Sequence, residues 1–198
     1  MFRGAYQSLA TSALILGYYA IDVWLMRRHD PARSEGSARS WSWTLVSVAL
    51  AAIVILQPVL LPGIGFYTDA WWGLAMQIAG LGVMAGGLAL IWWARSHLRH
   101  FFGERVEIQE GQYLVETGPY AYVRHPIYSA FFLCVAGLLL VNPALTTLAV
   151  VAYFVVDFPR ATRQEERLLS ADLPGYREYM ARTSRYVPSL RKILREER

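Results

Sequence analysis

Charge is what this chain has least of. Only 17% of its 198 residues are Asp, Glu, Lys or Arg, against about 25% in an ordinary soluble chain. It has one lysine, Lys192, and one cysteine, Cys134, which sits inside an apolar run. A lone cysteine excludes an internal disulfide and a thiolate metal cage. Histidine is also sparse. His29, His97, His100 and His125 are too few for a multi-histidine di-metal centre, and there is no His-Glu-x-x-His or paired-cysteine pattern, so no catalytic metal is expected. The sequence has no phosphate-binding glycine loop, no Gly-x-Ser-x-Gly elbow, no internal repeat and no low-complexity tract.

Apolar residues fill the space left by charge. They make up 55% before glycine is counted, where soluble domains reach about 45–50% with glycine included. Mean hydropathy is positive, at +0.28. These values exclude a disordered chain, a collagen-like fibre and an ordinary soluble domain, and they predict an all-α integral membrane protein. A spanning helix needs about 20 apolar residues. Candidate spans lie at 6–26, 43–61 and 70–94, the last with Trp71, Trp72, Trp92 and Trp93 at its two ends like an aromatic belt. The uncharged stretch 126–156 is broken by Asn142-Pro143. Asn caps helices and Pro starts them, so this stretch predicts a tight hairpin of two short helices, 127–141 and 143–158, each tilted or not fully crossing. The chain then divides into three N-terminal spans over 1–94 and a core over 95–198 that holds the hairpin and a helical tail patterned at Thr162–Leu169 and Tyr176–Thr183.

Arginine placement sets the orientation. Of the 19 basic residues, 18 fall in the loop after the first span, in Arg95–His125, and in the tail from Arg160. About five spans, with the N-terminus outside and the C-terminus cytoplasmic, satisfy the positive-inside rule. Arg27-Arg28 follows the first apolar run while only Arg3 precedes it, which favours a retained helix over a cleaved signal peptide. The surplus of arginine over lysine and the small size suit a prokaryotic inner membrane. Basic residues beside apolar runs set topology and do not bind nucleic acid, so the expected partners are membrane lipids and a lipophilic substrate.

Three patterns bear on chemistry. Gly118-Pro119-Tyr120-Ala121-Tyr122-Val123-Arg124-His125-Pro126-Ile127-Tyr128 is a turn-rich aromatic segment leading into an apolar helix, whose first N–H groups suit polar or anionic ligand groups. As a simpler reading, it is a juxtamembrane loop anchored by arginine and aromatics. Arg160-Ala161-Thr162-Arg163-Gln164-Glu165-Glu166 places two carboxylates among arginines, suited to a cationic, hydroxyl-rich ligand or to a helix exit in which Arg163 and Glu166 pair one turn apart. The glycines of 80–87 imitate a dinucleotide-binding run, but no strand precedes them. Gly82 and Gly86 are expected instead to form a small-residue face for close helix packing. Asp22 and Asp157 are charges near helix ends, candidates for function because they lie in or beside the membrane.

From about Leu98 to Pro188 the ordered set of Leu114-Val115-Glu116-Thr117-Gly118-Pro119-Tyr120, Arg124-His125-Pro126-Ile127-Tyr128, the apolar hairpin, Glu165-Glu166-x-x-Leu169, Tyr176-x-x-Tyr179 and Arg185-x-x-Pro188 resembles the isoprenylcysteine carboxyl methyltransferase family and its phospholipid-methyltransferase relatives. The resemblance implies an integral-membrane enzyme that moves a methyl group from S-adenosyl-L-methionine to a lipophilic acceptor, with the cofactor in a cytoplasmic pocket closed by the tail. It also implies that Gln112, Tyr113, Leu114, Val115, Tyr120, His125, Pro126, Ile127, Tyr128 and Glu165, with Glu166 beside it, line the cofactor site, and that an arginine before the acidic pair orients the acceptor. The family position for that arginine falls on Ala161, so Arg160 and Arg163 on either side are the candidates. The acceptor atom stays open between a carboxylate, an amine and a thiol. An NADPH-dependent membrane reductase of steroid-reductase type and a non-catalytic scaffold are the other readings of the same topology.

Overall fold

A computed structural model describes residues 3–29, 41–98 and 113–189. These residues form α1 (Ala5–His29), α2 (Trp41–Leu60), α3 (Trp71–Leu98), α4 (Pro126–Val141), α5 (Leu145–Asp172) and α6 (Tyr176–Arg182), with short 3-10 turns at Pro62–Ile64 and Gly118–Ala121. Among the described residues no β-strand forms. By length and composition α3 and α5 are apolar enough to cross a membrane, and Val48–Leu60 and α4 are shorter apolar helices.

The apolar runs set the helices within a few residues of expectation, with one large exception. The last hairpin helix does not stop at 158. It begins at Leu145 and runs through Pro159 to Asp172, absorbing the separate tail segment expected at 162–169. Proline removes one backbone donor but does not forbid the next turn. Here the Thr162 side chain lies back along the helix, 3.0 Å from the Phe158 carbonyl. The continuous rod carries the acidic pair directly from the apolar segment.

Close packing of α3 on α4 is the tightest feature of the core. Gln77, Gly80, Met84, Gly87, Ile91 and Ala94 form one buried stripe of α3 at alternating spacings of three and four. A Cβ on Gly80 would sit 2.7 Å from the Gly137 carbonyl, and one on Gly87 would sit 2.9 Å from the Ala130 carbonyl. Gly82 and Gly86, expected to pack, face open space. The one glycine pair at a spacing of four, Gly82 and Gly86, lies off the buried stripe, which holds Gly80 and Gly87, seven apart. Gly80→Ala should therefore force the two backbones apart and cost about 1–3 kcal/mol by overpacking. Gly82→Ala should leave the thermal unfolding midpoint unchanged or raised, because alanine is the better helix former.

Asn142 also departs from expectation. It ends α4 and does not cap the next helix, whose capping position is Ala144 with no side-chain cap. Fully buried, it ties the hairpin turn to three other segments. Its Nδ2 donates to Gln57 Oε1 at 2.9 Å, and its Oδ1 accepts from Gln7 Nε2 at 3.0 Å and from the Tyr67 hydroxyl at 3.2 Å. Gln77 and Gln7 both donate to the Val141 carbonyl. This amide cluster fixes the hairpin at one end. An aromatic group of Tyr128, Phe131, Phe132, Phe154 and Phe158 fixes it toward the other.

Candidate functional site

The loop before α4 is bent by Gly118, whose φ of +59° suits glycine and whose bare Cα lies against the His97 ring. The 3-10 turn that follows buries Pro119 and Tyr120. Tyr179 of α6 holds this turn from the tail side, donating its hydroxyl to the Tyr120 carbonyl at 2.7 Å. The chain after α6 then runs beside the loop. Arg124 N donates to the Ser184 carbonyl at 2.8 Å and His125 N to the Arg185 carbonyl at 3.0 Å. Ser129 Oγ adds a third tie, to the Tyr186 carbonyl at 2.7 Å. Three pieces of sequence therefore meet at one point: the loop 118–125, the middle of α5, and the tail 183–186.

Glu166 sits at the junction, with its side chain 5% exposed. Its Oε1 accepts from Arg124 Nε at 2.9 Å, from Arg185 Nε at 3.1 Å and lies 3.1 Å from His125 Nε2, and its Oε2 accepts from Arg185 Nη2. Arg124 in turn donates to the carbonyls of Met180 and Thr183. Two guanidiniums and an imidazole occupy this carboxylate, so Glu166 serves as the anchor of the tail. The pair expected between Arg163 and Glu166 does not form.

Glu165 is differently placed. A third of its side chain is exposed, and its Oε2 lies 3.8 Å from His125 Nδ1, beyond hydrogen-bond length. The Tyr128 phenol lies beside it. His125 is thus flanked by a carboxylate at each ring nitrogen, and its ring meets Tyr128 edge-on at 5.7 Å. The charges of Glu165 and Arg95 both reach the phenol of Tyr120. Burial, and secondarily Glu165, pushes the Tyr120 hydroxyl far above its ordinary range, so it stays a neutral hydrogen-bonding group at any physiological pH.

Of the residues expected at the site, the structure gathers Tyr120, His125, Tyr128, Glu165 and Glu166 around one spot, with Pro126 buried and Ile127 half-buried at the start of α4. Leu114 turns toward Leu173, Tyr176 and Tyr179 and supports α6. Val115 is half-buried and Tyr113 exposed. Gln112 and His100 lie outside the described residues, as does the side chain of Asp22. Arg160 and Arg163 are not brought to the site. Both are exposed, and with Gln164 and Arg167 they line an open hollow of about 460 Å³. Phe158, Thr162 and Glu166 occupy the buried side of the same helix. At 100° per residue the arginine row falls across the helix from Glu165, so the acceptor-orienting role implied for Arg160 and Arg163 has no geometric support. Sequence reasoning missed Arg185 and the tying role of Arg124. Both stood in the quoted motifs, but only the fold shows that they converge on one carboxylate. Among the described residues no group of three or more His, Cys, Asp or Glu side chains is arranged to hold a metal ion.

Comparison with known proteins adds four findings. The sequence profile of the isoprenylcysteine carboxyl methyltransferase (ICMT) family matches residues 79–171. The chain is 30% identical over 148 residues to the nickel-cobalt-cadmium resistance protein NccN of Alcaligenes xylosoxydans xylosoxydans, covering 74% of this chain and 62% of that one. It is 26% identical over 167 residues to the cobalt-zinc-cadmium resistance protein CzcN of Cupriavidus metallidurans, covering 81% and 73%. The fold is similar to the solved structure of the eukaryotic intramembrane Ras methyltransferase ICMT, with a TM-score of 0.62 and 21% identity over 90% of this chain and 67% of that one. The chain spans less than two thirds of the length of NccN.

Proposed function

We propose that the chain, whose residues 79–171 match the isoprenylcysteine carboxyl methyltransferase family model, belongs to that family and transfers a methyl group from S-adenosyl-L-methionine to a lipophilic acceptor at a membrane surface. One observation carries the reading. Of two adjacent carboxylates, Glu166 is taken up by Arg124, His125 and Arg185, while Glu165 keeps a third of its side chain exposed beside Tyr128 and His125. An available carboxylate bordered by aromatic rings fits a ligand that joins an ammonium, ribose hydroxyls and a purine. In this reading Glu165 accepts from the ammonium or the ribose, Tyr120 and Tyr128 give the purine an aromatic wall, and the start of α4 at Pro126 and Ile127 closes one side. Tyr113 and Val115, in the segment leading into the loop, complete the rim.

The donor supplies an electrophilic methyl group on a sulfonium. The protein's part is alignment: held donor and acceptor gain up to about 7–11 kcal/mol over free encounter, and no covalent enzyme intermediate is required. The acceptor enters from the bilayer side of α4 and α5, and the site faces the cytoplasm in a five-span arrangement of an inner membrane. A second reading narrows the acceptor to an amine. Asp157 lies two turns before Glu165 on α5, and its buried Oδ2 has no hydrogen-bond partner among the described residues. An N–H group on the acceptor would satisfy that oxygen and lose its proton to it. NccN and CzcN carry metal resistance in their names.

The test is transfer of labelled methyl from S-adenosyl-L-methionine to a total lipid extract by the purified full chain in lipid nanodiscs. A labelled, extractable product is expected. NADPH binding without sulfonium binding would favour a reductase, and binding of neither cofactor would favour a scaffold.

A further inference from the structure

We propose that the outward face of α5 holds the headgroup of an anionic phospholipid through Arg160, Arg163 and Arg167. These residues follow one another at spacings of three and four, so they share one side of the helix and span about 10 Å along it. All three are exposed, and none makes a hydrogen bond or ion pair among the described residues. Neighbouring like charges at these spacings repel. The nearby carboxylates do not relieve them: Glu165 is turned to the opposite side, Asp157, one turn before Arg160, forms no ion pair with the row among the described residues, and Glu166 is already matched by Arg124 and Arg185. The repulsion is left for an external anion to cancel. Gln164 completes the lining of the hollow and adds a neutral donor.

The same face of α5 names the class of that anion. Toward the start of the helix it continues as the exposed apolar side chains of Leu145, Tyr153 and Val156. A ligand matched to the whole face has a negative head and an apolar tail, which is an anionic phospholipid lying along the helix with its phosphate among the guanidiniums. An acidic peptide or a nucleic acid would leave the apolar stretch without a partner. The site lies across α5 from Glu165, so it is separate from the proposed methyl-transfer pocket. It rests only on the membrane placement of α5.

The experiment compares spin-labelled phosphatidylglycerol with spin-labelled phosphatidylcholine around the full chain reconstituted in phosphatidylcholine vesicles. Enrichment of phosphatidylglycerol is expected for the native protein. With each guanidinium near an anionic surface worth about fivefold, Arg160→Gln/Arg163→Gln/Arg167→Gln should weaken that preference by about a hundredfold. The corresponding triple lysine variant should keep most of it. If the glutamine variant does not fold, the salt response of the native protein decides the matter. Going from about 0.05 M to about 0.5 M salt shortens the screening length roughly threefold and should erase most of the preference. Equal uptake of the two lipids by the native protein, a preference that survives in the folded glutamine variant, or a salt-independent preference would overturn the proposal. Displacement of the labelled lipid by millimolar inorganic phosphate would overturn it too, by showing a free-anion site. Binding of S-adenosyl-L-methionine, measured in parallel, separates the two readings: its absence in the native protein counts against methyl transfer and leaves the lipid result standing.

Discussion

Glu166→Ala is expected to lower folding stability by about 3–5 kcal/mol, the range for removing one member of a buried ion pair, and to release the tail 183–186 from the loop before α4. The size follows from what is left behind. The side chain of Arg124 is 10% exposed, and without the carboxylate its charge has only the carbonyls of Met180 and Thr183 for company. His125 loses its Nε2 partner in the same step. The backbone bonds from Arg124 and His125 to Ser184 and Arg185 and the Ser129 hydroxyl bond to the Tyr186 carbonyl would then be left to hold the tail, and neutral bonds of that kind are worth only about 1 kcal/mol each. The thermal unfolding midpoint should fall sharply, and trypsin should cut at Arg182 and Arg185 in the variant well before it does in the native protein. An unchanged midpoint together with a protected tail would show that Glu166 is not the anchor described here.

The neighbouring substitution should do the reverse. Glu165→Gln removes a carboxylate that is one-third exposed and stands 3.8 Å from the nearer ring nitrogen of His125; partly solvated contacts of that kind contribute little to stability. The unfolding midpoint should barely move. Affinity for S-adenosyl-L-methionine should fall about 10–100-fold, the loss expected when a charge-assisted hydrogen bond worth about 1.5–3 kcal/mol is removed. Isothermal titration of the native and variant proteins with the donor and with its demethylated product measures this directly. Identical affinities in the two proteins would remove Glu165 from the proposed site. His125→Ala touches both carboxylates and should therefore lose stability and donor binding together, so it makes a poorer probe of binding than Glu165→Gln.

These contrasting outcomes for adjacent residues show how far sequence reasoning reaches. The membrane class, the positions of the apolar helices, the break at Asn142-Pro143 and the meeting of the Tyr120–Tyr128 segment with the acidic pair were all legible. Apolar run length, turn residues and local spacing are properties of short windows of chain, and burial in a membrane or a core acts on such windows directly. The same windows left other choices open. Nothing local distinguishes Gly80 and Gly87 from Gly82 and Gly86, since each pair supplies bare backbone; the choice fell to whichever face of α3 meets the Gly137 and Ala130 backbone of α4. Asn142 looked like a helix cap because its partners, Gln7, Gln57 and Tyr67, lie far away along the chain.

The sequence by itself determined that this protein is a bundle of apolar helices with a polar, aromatic junction at the start of α4 and in the middle of α5. Only the tertiary structure decided which carboxylate anchors the tail, which one keeps a third of its side chain exposed, and that Arg160 and Arg163 turn away from both. The physical reason is that the role of a charge depends on which opposite charges reach it. For Glu166 those are Arg124 and Arg185, 42 residues before it and 19 after, and only the folded chain brings them within 3 Å or so of one oxygen.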